Sequence, residues 1–428
     1  MTTDPDILRG REAVARREWA GAYAAFTAAD PSSLAGSDLE GLADAAWWLS
    51  KLSESLEVRR RAYAAYDADG DDVAAGGVAA RLAIEHFVRG EMSVGGGFLM
   101  RAHRHAEDLP EGRERGFLTL IDATVARFSG DLEHAIPLNA EALRVGRSVG
   151  DPDLVAMAVH AEGLLLIEQG RIDEGLAFLD EAMAAIVTGE VDPYFTGIIF
   201  CDLIGACLAV SDLRRAGEWS DAARAWCDTI PPDSPYPGMC RANRAEVARL
   251  RGAWPEAEAE AVQAADELMV VEPRIAAAAF LQVAEIRRRT GDLAGADEGY
   301  TRAHELGEDP QPGLALLRLA QGRIEAAASG IEVSLEGESR PARLLPLLAA
   351  QVEIALARGD LETADLAAQR IDEVAREIGT SASLASAAGA LGSVALERGD
   401  ASAALTRLRA ATAAWQDLGI PHESARAR

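Results

Sequence analysis

Seven histidines, four cysteines and one lysine are the side chains in this 428-residue sequence whose chemistry would be easiest to recognise. His103 and His105, in RAHRHAED, are two residues apart. That spacing puts them about 200° apart around a helix, whereas metal ligands sharing a helix face need a spacing of three or four. A solvated helix face is the expected reading, and no metal site. Cys201, Cys207, Cys227 and Cys240 form no CxxC pair and are too few to staple a chain of this length. They read as buried reduced thiols, which implies a cytoplasmic location. The GGG run at Gly95 to Gly97 follows no strand. With no GxxxxGK[ST] and no glycine loop beside Lys51, a P-loop is excluded. Carboxylate neighbours such as Glu258 and Glu260, or Asp71 and Asp72, read as surface charge. No Ser/His/Asp set emerges, so the expectation is a chain that is not an enzyme and carries no cofactor.

Bulk properties narrow the partners. A formal net charge of −27 repels phosphate backbones and anionic membranes, so direct contact with nucleic acid or membrane is not expected. The start, MTTDPDILRG, has no basic segment followed by an apolar run, and no signal peptide is expected. The most apolar stretch, GIIFCDLIGACLAV from Gly197 to Val210, is too short for a membrane span and reads as a buried helix. Aromatics are only 5% of residues, which favours close packing of alanine-rich helices over a β-rich core.

The elements that position everything else are announced by a recurring turn. SGDLEHA, QGRIDEG, VSDLRRA, RGAWPEA, TGDLAGA, QGRIEAA, RGDLETA and RGDASAA follow one another along the chain. In register, their apolar residues are Trp19, Leu52, Met92, Leu132, Ile172, Leu213, Trp254, Leu293, Ile324, Leu361 and Ala401. Most intervals lie between 37 and 42 residues, with two shorter ones of 33 and 31. Self-similarity on this scale marks a solenoid. Three residues after each apolar position the side chain is always small, from Ala22 to Ala404. Nine residues before it another small residue recurs (Gly10, Ala43, Ala83, Ala123), broken only by Ile204 and Val352. A third small position lies ten residues after it, at Ala62, Ala102 and their counterparts. Two antiparallel helices can approach closely only where both lack bulk. The turn glycine supplies the positive φ that ends the first helix, and the apolar residue should plug the seam.

These residues resemble the tetratricopeptide-repeat (TPR) family, whose mid-helix small residue, Gly-Asp-aromatic turn and following alanines fall on the same positions. The period is near 40 rather than 34, and only Trp19 and Trp254 keep the turn aromatic. The resemblance implies an all-α, right-handed α-solenoid of about eleven TPR-like helix hairpins. A narrower resemblance rests on DPYFTGIIFCDLIGACLAVSDLRRAGEWSDAARAWCD, on PYPGMCRANRAEVARLRGAWPEAEAEA and on the opening GREAVARREWAGAYAAF with GLADAAWWL. These look like the long regulatory repeat region of large LuxR-type transcriptional regulators. No helix-turn-helix follows here, and Pro421 opens what reads as a further first helix.

In the TPR family the first helix of each pair lines an inner groove. Counting back from each turn places Phe117, Leu120, Arg127, Met157, His160, Leu164, Met239 and Arg249 there, beside Ile84, Phe87, Ile198, Cys201, Leu208 and Glu246. This register assumes continuity across Ser211, where the turn glycine is missing. Two readings stay open: these apolar residues are core, or part of the groove holds a small apolar ligand, a peptide or a partner helix. His160, Arg127 and Arg249 would then supply its polar contacts. Tyr194, Phe195, Trp219, Trp226 and Tyr236 concentrate scarce aromatics beside TIPPDSPYPGM, whose four prolines predict an extended segment, either a plain connection or a flap. The expected organisation is repeats over 1–190, an aromatic- and proline-rich repeat with linker over 191–240, and repeats over 241–428 with an open C-terminal end. Leu405, Leu408 and Trp415 there call for a cover: a further repeat, a following domain or a second copy in a homodimer. The functional expectation is a non-enzymatic sensing and interaction module like a LuxR-type regulatory region; the alternative is a free-standing scaffold that recruits protein partners or peptides.

Overall fold

The computed structural model describes residues 4–271 and 273–428, and among these the regular structure is entirely helical. The helices follow one another as eleven hairpins. Hairpins 1 to 4 are α1 (Pro5–Ala15) with α2 (Trp19–Ala28), α3 (Gly36–Trp48) with α4 (Leu52–Asp69), α5 (Asp72–Val88) with α6 (Met92–Ala106), and α7 (Arg113–Phe128) with α8 (Leu132–Val149). Hairpins 5 to 8 are α9 (Pro152–Glu168) with α10 (Ile172–Val187), α11 (Pro193–Ala209) with α12 (Leu213–Cys227), α13 (Pro235–Leu250) with α14 (Trp254–Val271), and α15 (Pro273–Thr290) with α16 (Leu293–Glu305). Hairpins 9 to 11 are α17 (Gly313–Ala320) with α18 (Ile324–Leu335), α19 (Pro341–Arg358) with α20 (Leu361–Ile378), and α21 (Ser381–Glu397) with α22 (Ala401–Asp417). A short α23 (Pro421–Arg426) opens a twelfth. Two compact units result. Unit 1 comprises Met1–Leu165, Asp180–Thr196 and Trp226–Pro237; unit 2 comprises Leu166–Leu179, Gly197–Ala225 and Gly238–Arg428.

Every apolar register residue, from Trp19 to Ala401, is the first residue of the second helix of its hairpin. The turn before it repeats one geometry in most of the hairpins. Gly130 (φ 81°) donates its N–H to the Arg127 carbonyl at 2.9 Å, and Asp131 donates to the Ala126 carbonyl at 2.9 Å. These bonds satisfy the last carbonyls of the first helix. The aspartate of the motif then caps the second helix: Asp131, Asp212, Asp292, Asp360 and Asp400 accept from the backbone N–H three residues on, at 2.9–3.2 Å. Arg17, Ser50 and Ser211 hold the same left-handed conformation without glycine, at φ 56°, 56° and 60°.

The small positions are buried as the spacing requires. Ala22, Ala135, Ala216, Ala257, Ala296, Ala327 and Ala364 are fully enclosed, as are Ala43, Ala83, Ala245 and Ala284 on the opposing helices. In hairpin 3 a Cβ on Gly95 would lie 2.5 Å from the Phe87 ring and 3.1 Å from the Ala83 carbonyl. The two larger residues that interrupt the pattern, Ile204 and Val352, are buried as well.

Three expectations are corrected. The apolar register residue plugs the seam at Ile172, but Met92 and Leu361 face solvent, because the tight turn already closes the hairpin and leaves the first residue of the second helix at its rim. The extended segment expected over Thr229–Met239 ends at Ser234, and α13 begins at Pro235. Proline needs no N–H donor in the first turn of a helix, so Pro235 and Pro237 fit there. His105 is not on a solvated face. It is only 13% exposed, with Nδ1 2.8 Å from Asp72 and its ring edge-on to Tyr63, while His103 bonds Asp122 at 3.0 Å.

The seam predicts a contrast within one glycine run. Gly95→Ala should destabilise by about 1–3 kcal/mol through overpacking. Gly97→Ala, whose Cβ would meet nothing within 4 Å, should stabilise by roughly 0.5–1 kcal/mol through helix propensity. Urea unfolding of the two variants checks the sign of each.

Candidate binding site

The residues singled out from the sequence divide between the two units. In unit 1, Leu120, His160 and Leu164 are buried, while Phe117 and Met157 are half-buried. Leu120, Phe117 and Met157 pack into one cluster with Val145, Leu154 and Ala158. Arg127 lies over the Phe128 ring at 4.5 Å. In unit 2, Trp219 and Met239 are half-buried and Arg249 is 9% exposed.

The aromatics of the middle of the chain come together in unit 1, on a surface the spacing did not single out. Tyr194 and Phe195 begin α11, Tyr236 begins α13, and Trp226 ends α12. Their common platform is Trp47 and Trp48 at the end of α3. Trp47 meets Tyr194 edge-on at 5.1 Å and Tyr236 at 5.4 Å; Trp48 meets Tyr236 at 5.9 Å and stacks on Trp19 at 5.7 Å. Trp226 adds an edge contact to Tyr236 at 5.4 Å, and Phe195 stacks on Phe117 at 5.3 Å. The Tyr236 hydroxyl donates to the Tyr194 carbonyl. Edge-to-face pairs at these separations exploit the ring quadrupole beyond simple area burial. Arg81, from α5, lies flat over the Tyr194 ring at 3.5 Å. The WW pair at 47–48 was the available signal, but nothing in local spacing says what it packs against.

Beneath this platform is a buried ion-pair set. Arg59, 1% exposed, donates to Asp44 and to Glu85, each at 2.9 Å. Burial opposes its charge, yet Glu85 and Asp44 raise its pKa above the ordinary arginine value. Glu40 accepts from Tyr66 at 3.0 Å, and burial together with Asp44 pushes its pKa up.

Unit 2 holds a second network, which α15 carries on one face through Gln282, Glu285, Arg288 and Arg289. Arg288 donates to Glu285 at 2.9 Å, the Tyr300 hydroxyl donates to Glu285 at 2.5 Å, and Arg249 donates to Gln282 at 2.9 Å and Glu246 at 3.2 Å. Arg289 bonds Glu423 of α23 at 3.0 Å. Burial works against ionising Glu285, but Arg288, Arg249 and Arg289 outweigh it and hold the carboxyl at about 2. Arg249 therefore stands within a network of side chains, bonded to Gln282 and Glu246. Three guanidinium groups face three carboxylates, an arrangement that fixes helices against one another.

Among the described residues no group of three or more His, Cys, Asp or Glu is placed to hold a metal ion, and no helix is long and apolar enough to cross a membrane. A hollow of about 20 Å³ between α18, α19 and α20, lined by Ile331, Ile354 and Thr363 among others, has room for about one water.

No protein-family profile matches the chain, and no curated protein matches it. Solved structures do. A tetratricopeptide repeat protein from Parabacteroides merdae is 17% identical with a TM-score of 0.39, over 63% of this chain and 94% of that one. The APC/C hetero-tetramer Cut9–Hcn1 is 12% identical with a TM-score of 0.39, over 97% and 92%. A signal transduction ATPase with numerous domains and a tetratricopeptide repeat sensor, from Pyrococcus horikoshii, is 15% identical with a TM-score of 0.40, over 78% and 52%. None of the three is a LuxR-type regulator, and that narrower resemblance is without support.

The Glu285 network sets a pH dependence. A carboxyl held at about 2 instead of 4.5 contributes stability that is complete above pH 4.5 and is lost as pH falls toward 2. Glu285→Gln, which leaves the arginines short of one carboxylate, should cost about 3–5 kcal/mol at pH 7. It should also flatten the acid limb of the stability curve. Urea midpoints measured from pH 7 down to acid check both effects.

Proposed function

We propose that this chain is a helical-repeat scaffold that binds a protein or peptide partner and performs no chemistry of its own. The observation that carries the reading is where apolar side chains are left outside. On hairpins 3 and 4, Val88 and Met92 flank the Gly90 turn and Phe128 adjoins the Gly130 turn, exposed by 49%, 58% and 74%. Single exposed apolar residues are ordinary; a set of them at the same edge of successive hairpins suits a partner's apolar side chains. The interior supports the same conclusion, because the aromatics and the buried charges are already engaged with one another. The scaffold reading is therefore preferred to the sensing role that the LuxR-type resemblance implies, which needs a ligand seated against groove residues such as Phe117 and Met157.

Affinity capture from cells of the source organism, comparing the native chain with Met92→Asp/Phe128→Asp, tests the proposal. Both positions are exposed, so helix content by circular dichroism should be unchanged. A protein that co-purifies with the native chain should fall by tenfold or more with the variant, about the effect of losing 1.4 kcal/mol. Identical capture by both, or a native mass spectrum showing a retained small molecule and no protein, would overturn the reading.

A further inference from the structure

The turns of hairpins 2 and 7 each receive the start of a later helix, and each does so through a ring at that helix's second position. In unit 1 the turn of hairpin 2 is centred on Ser50, whose hydroxyl donates to the Asp233 carbonyl, just before α13, at 2.6 Å. Trp48, two residues before Ser50, meets Tyr236, the second residue of α13, at 5.9 Å and is only 6% exposed. Pro193 and Tyr194 open α11 in the same way, and Tyr194 packs on the neighbouring Trp47 at 5.1 Å. In unit 2 the turn of hairpin 7 is centred on Gly252, where a Cβ would lie 2.8 Å from Pro421, the first residue of α23. Trp254, two residues after Gly252, meets His422, the second residue of α23, edge-on at 5.4 Å. All three incoming helices open with proline followed by a ring. Both receiving turns hold a left-handed residue, with φ 56° at Ser50 and 80° at Gly252.

A large apolar residue stands two before the left-handed residue in four hairpins, at Trp48, Val88, Phe128 and Leu250. Trp48 and Leu250, on the turns that receive α13 and α23, are buried and half-buried. Val88 and Phe128, on the turns of hairpins 3 and 4, are 49% and 74% exposed. Met92, two residues after Gly90, stands where Trp254 does in hairpin 7, and it too is exposed. A Cβ on Gly130 would have no atom within 4 Å. The turns at Gly291, Gly322, Gly359 and Gly399 are equally open, but they carry Arg289, Ala320, Ala357 and Glu397 at the position of Phe128. Openness alone therefore does not set hairpins 3 and 4 apart. What does is a large apolar side chain at the receiving position, left without the helix start that covers its counterparts.

We propose that the turns of hairpins 3 and 4 receive the start of a partner's helix that opens with proline and an aromatic residue, as the turns of hairpins 2 and 7 receive α13 and α23. The proposal rests on the scaffold reading above and specifies the chemistry of the partner. Proline suits the contact because it brings no N–H to bury against the turn and its fixed φ already fits a first helical turn. The aromatic residue that follows then meets Phe128 as Tyr236 meets Trp48, a ring pair favoured beyond its area by edge-to-face geometry. At hairpin 3 the receiving side chains are Val88 and Met92, whose thioether also favours an aromatic neighbour. The occupant follows from the chain's own helix starts. An extended peptide in the groove would instead need Phe117 and Met157, which are already packed with Leu120 and Leu154.

Fluorescence anisotropy tests the proposal with the full chain as titrant. The probe is a labelled, alanine-based helical peptide of roughly 18 residues that opens Asp-Pro-Tyr, long enough to hold a helix in water. It should bind saturably, and replacing its tyrosine by alanine should weaken binding roughly tenfold or more. In the protein, Val88→Asp/Phe128→Asp should have the same effect, with helix content by circular dichroism unchanged. Leu361→Asp, on a solvent-facing residue beside the open turn at Gly359, should leave binding as it is. No binding up to about 1 mM, equal binding of the tyrosine and alanine peptides by the native chain, or an equal loss in Leu361→Asp overturns the proposal. The two readings fail separately. A protein captured by the native chain and lost with Met92→Asp/Phe128→Asp, while the two peptides bind alike, would leave the scaffold reading standing and remove this one.

Discussion

The close approach of paired helices at small residues is the constraint on which the rest of the structure depends. In hairpin 3 the Ala83 carbonyl and the Phe87 ring stand where a Gly95 side chain would be, and enclosed alanines fill the matching positions elsewhere. A seam this tight gains its stability from many short contacts rather than from large side chains. The core therefore needs few aromatics, and the chain has few.

The scarce large residues have a different task. Trp47, Trp48, Tyr194 and Tyr236 join segments far apart in sequence, and the Arg59 and Glu285 networks fix helices around them. Buried charges of this kind are tolerated only when every partner is present. An interior so committed has little left for binding, which turns attention to the edges of the hairpins. There, apolar side chains such as Val88, Met92 and Phe128 remain exposed at turns that repeat with the hairpins themselves.

The hairpins were legible in the sequence because their determinants are local. Gly130, Asp131, Leu132 and Ala135 lie within six residues, and their spacing states both the turn and the seam. The motif's aspartate caps the second helix, and Asp before an apolar helical run is itself a readable signal. Pro235 and Pro237 point by residue type to an extended 229–239, but in a first turn they are compatible with a helix, and α13 begins at Pro235. The candidate groove was harder. Leu120 and Leu164 fit core and groove equally by pattern, and burial alone separates the two. The aromatic platform was invisible for another reason: Trp47 and Tyr194 are joined across more than a hundred residues, a separation on which local periodicity is silent.

The central claim is that segments far apart in sequence meet within unit 1, where the Ser50 hydroxyl donates to the Asp233 carbonyl at 2.6 Å across 183 residues, and one distance tests it most directly. Spin labels at positions 50 and 233, in a chain with its four cysteines replaced, report that distance by pulsed electron resonance. Direct contact between Ser50 and Asp233 places the labels within about 20 Å. Hairpins stacked side by side without returning, at roughly 8–10 Å per helix layer, would hold them about 40–50 Å apart. The shorter distance is the predicted result; the longer one, with helix content intact, would contradict the account.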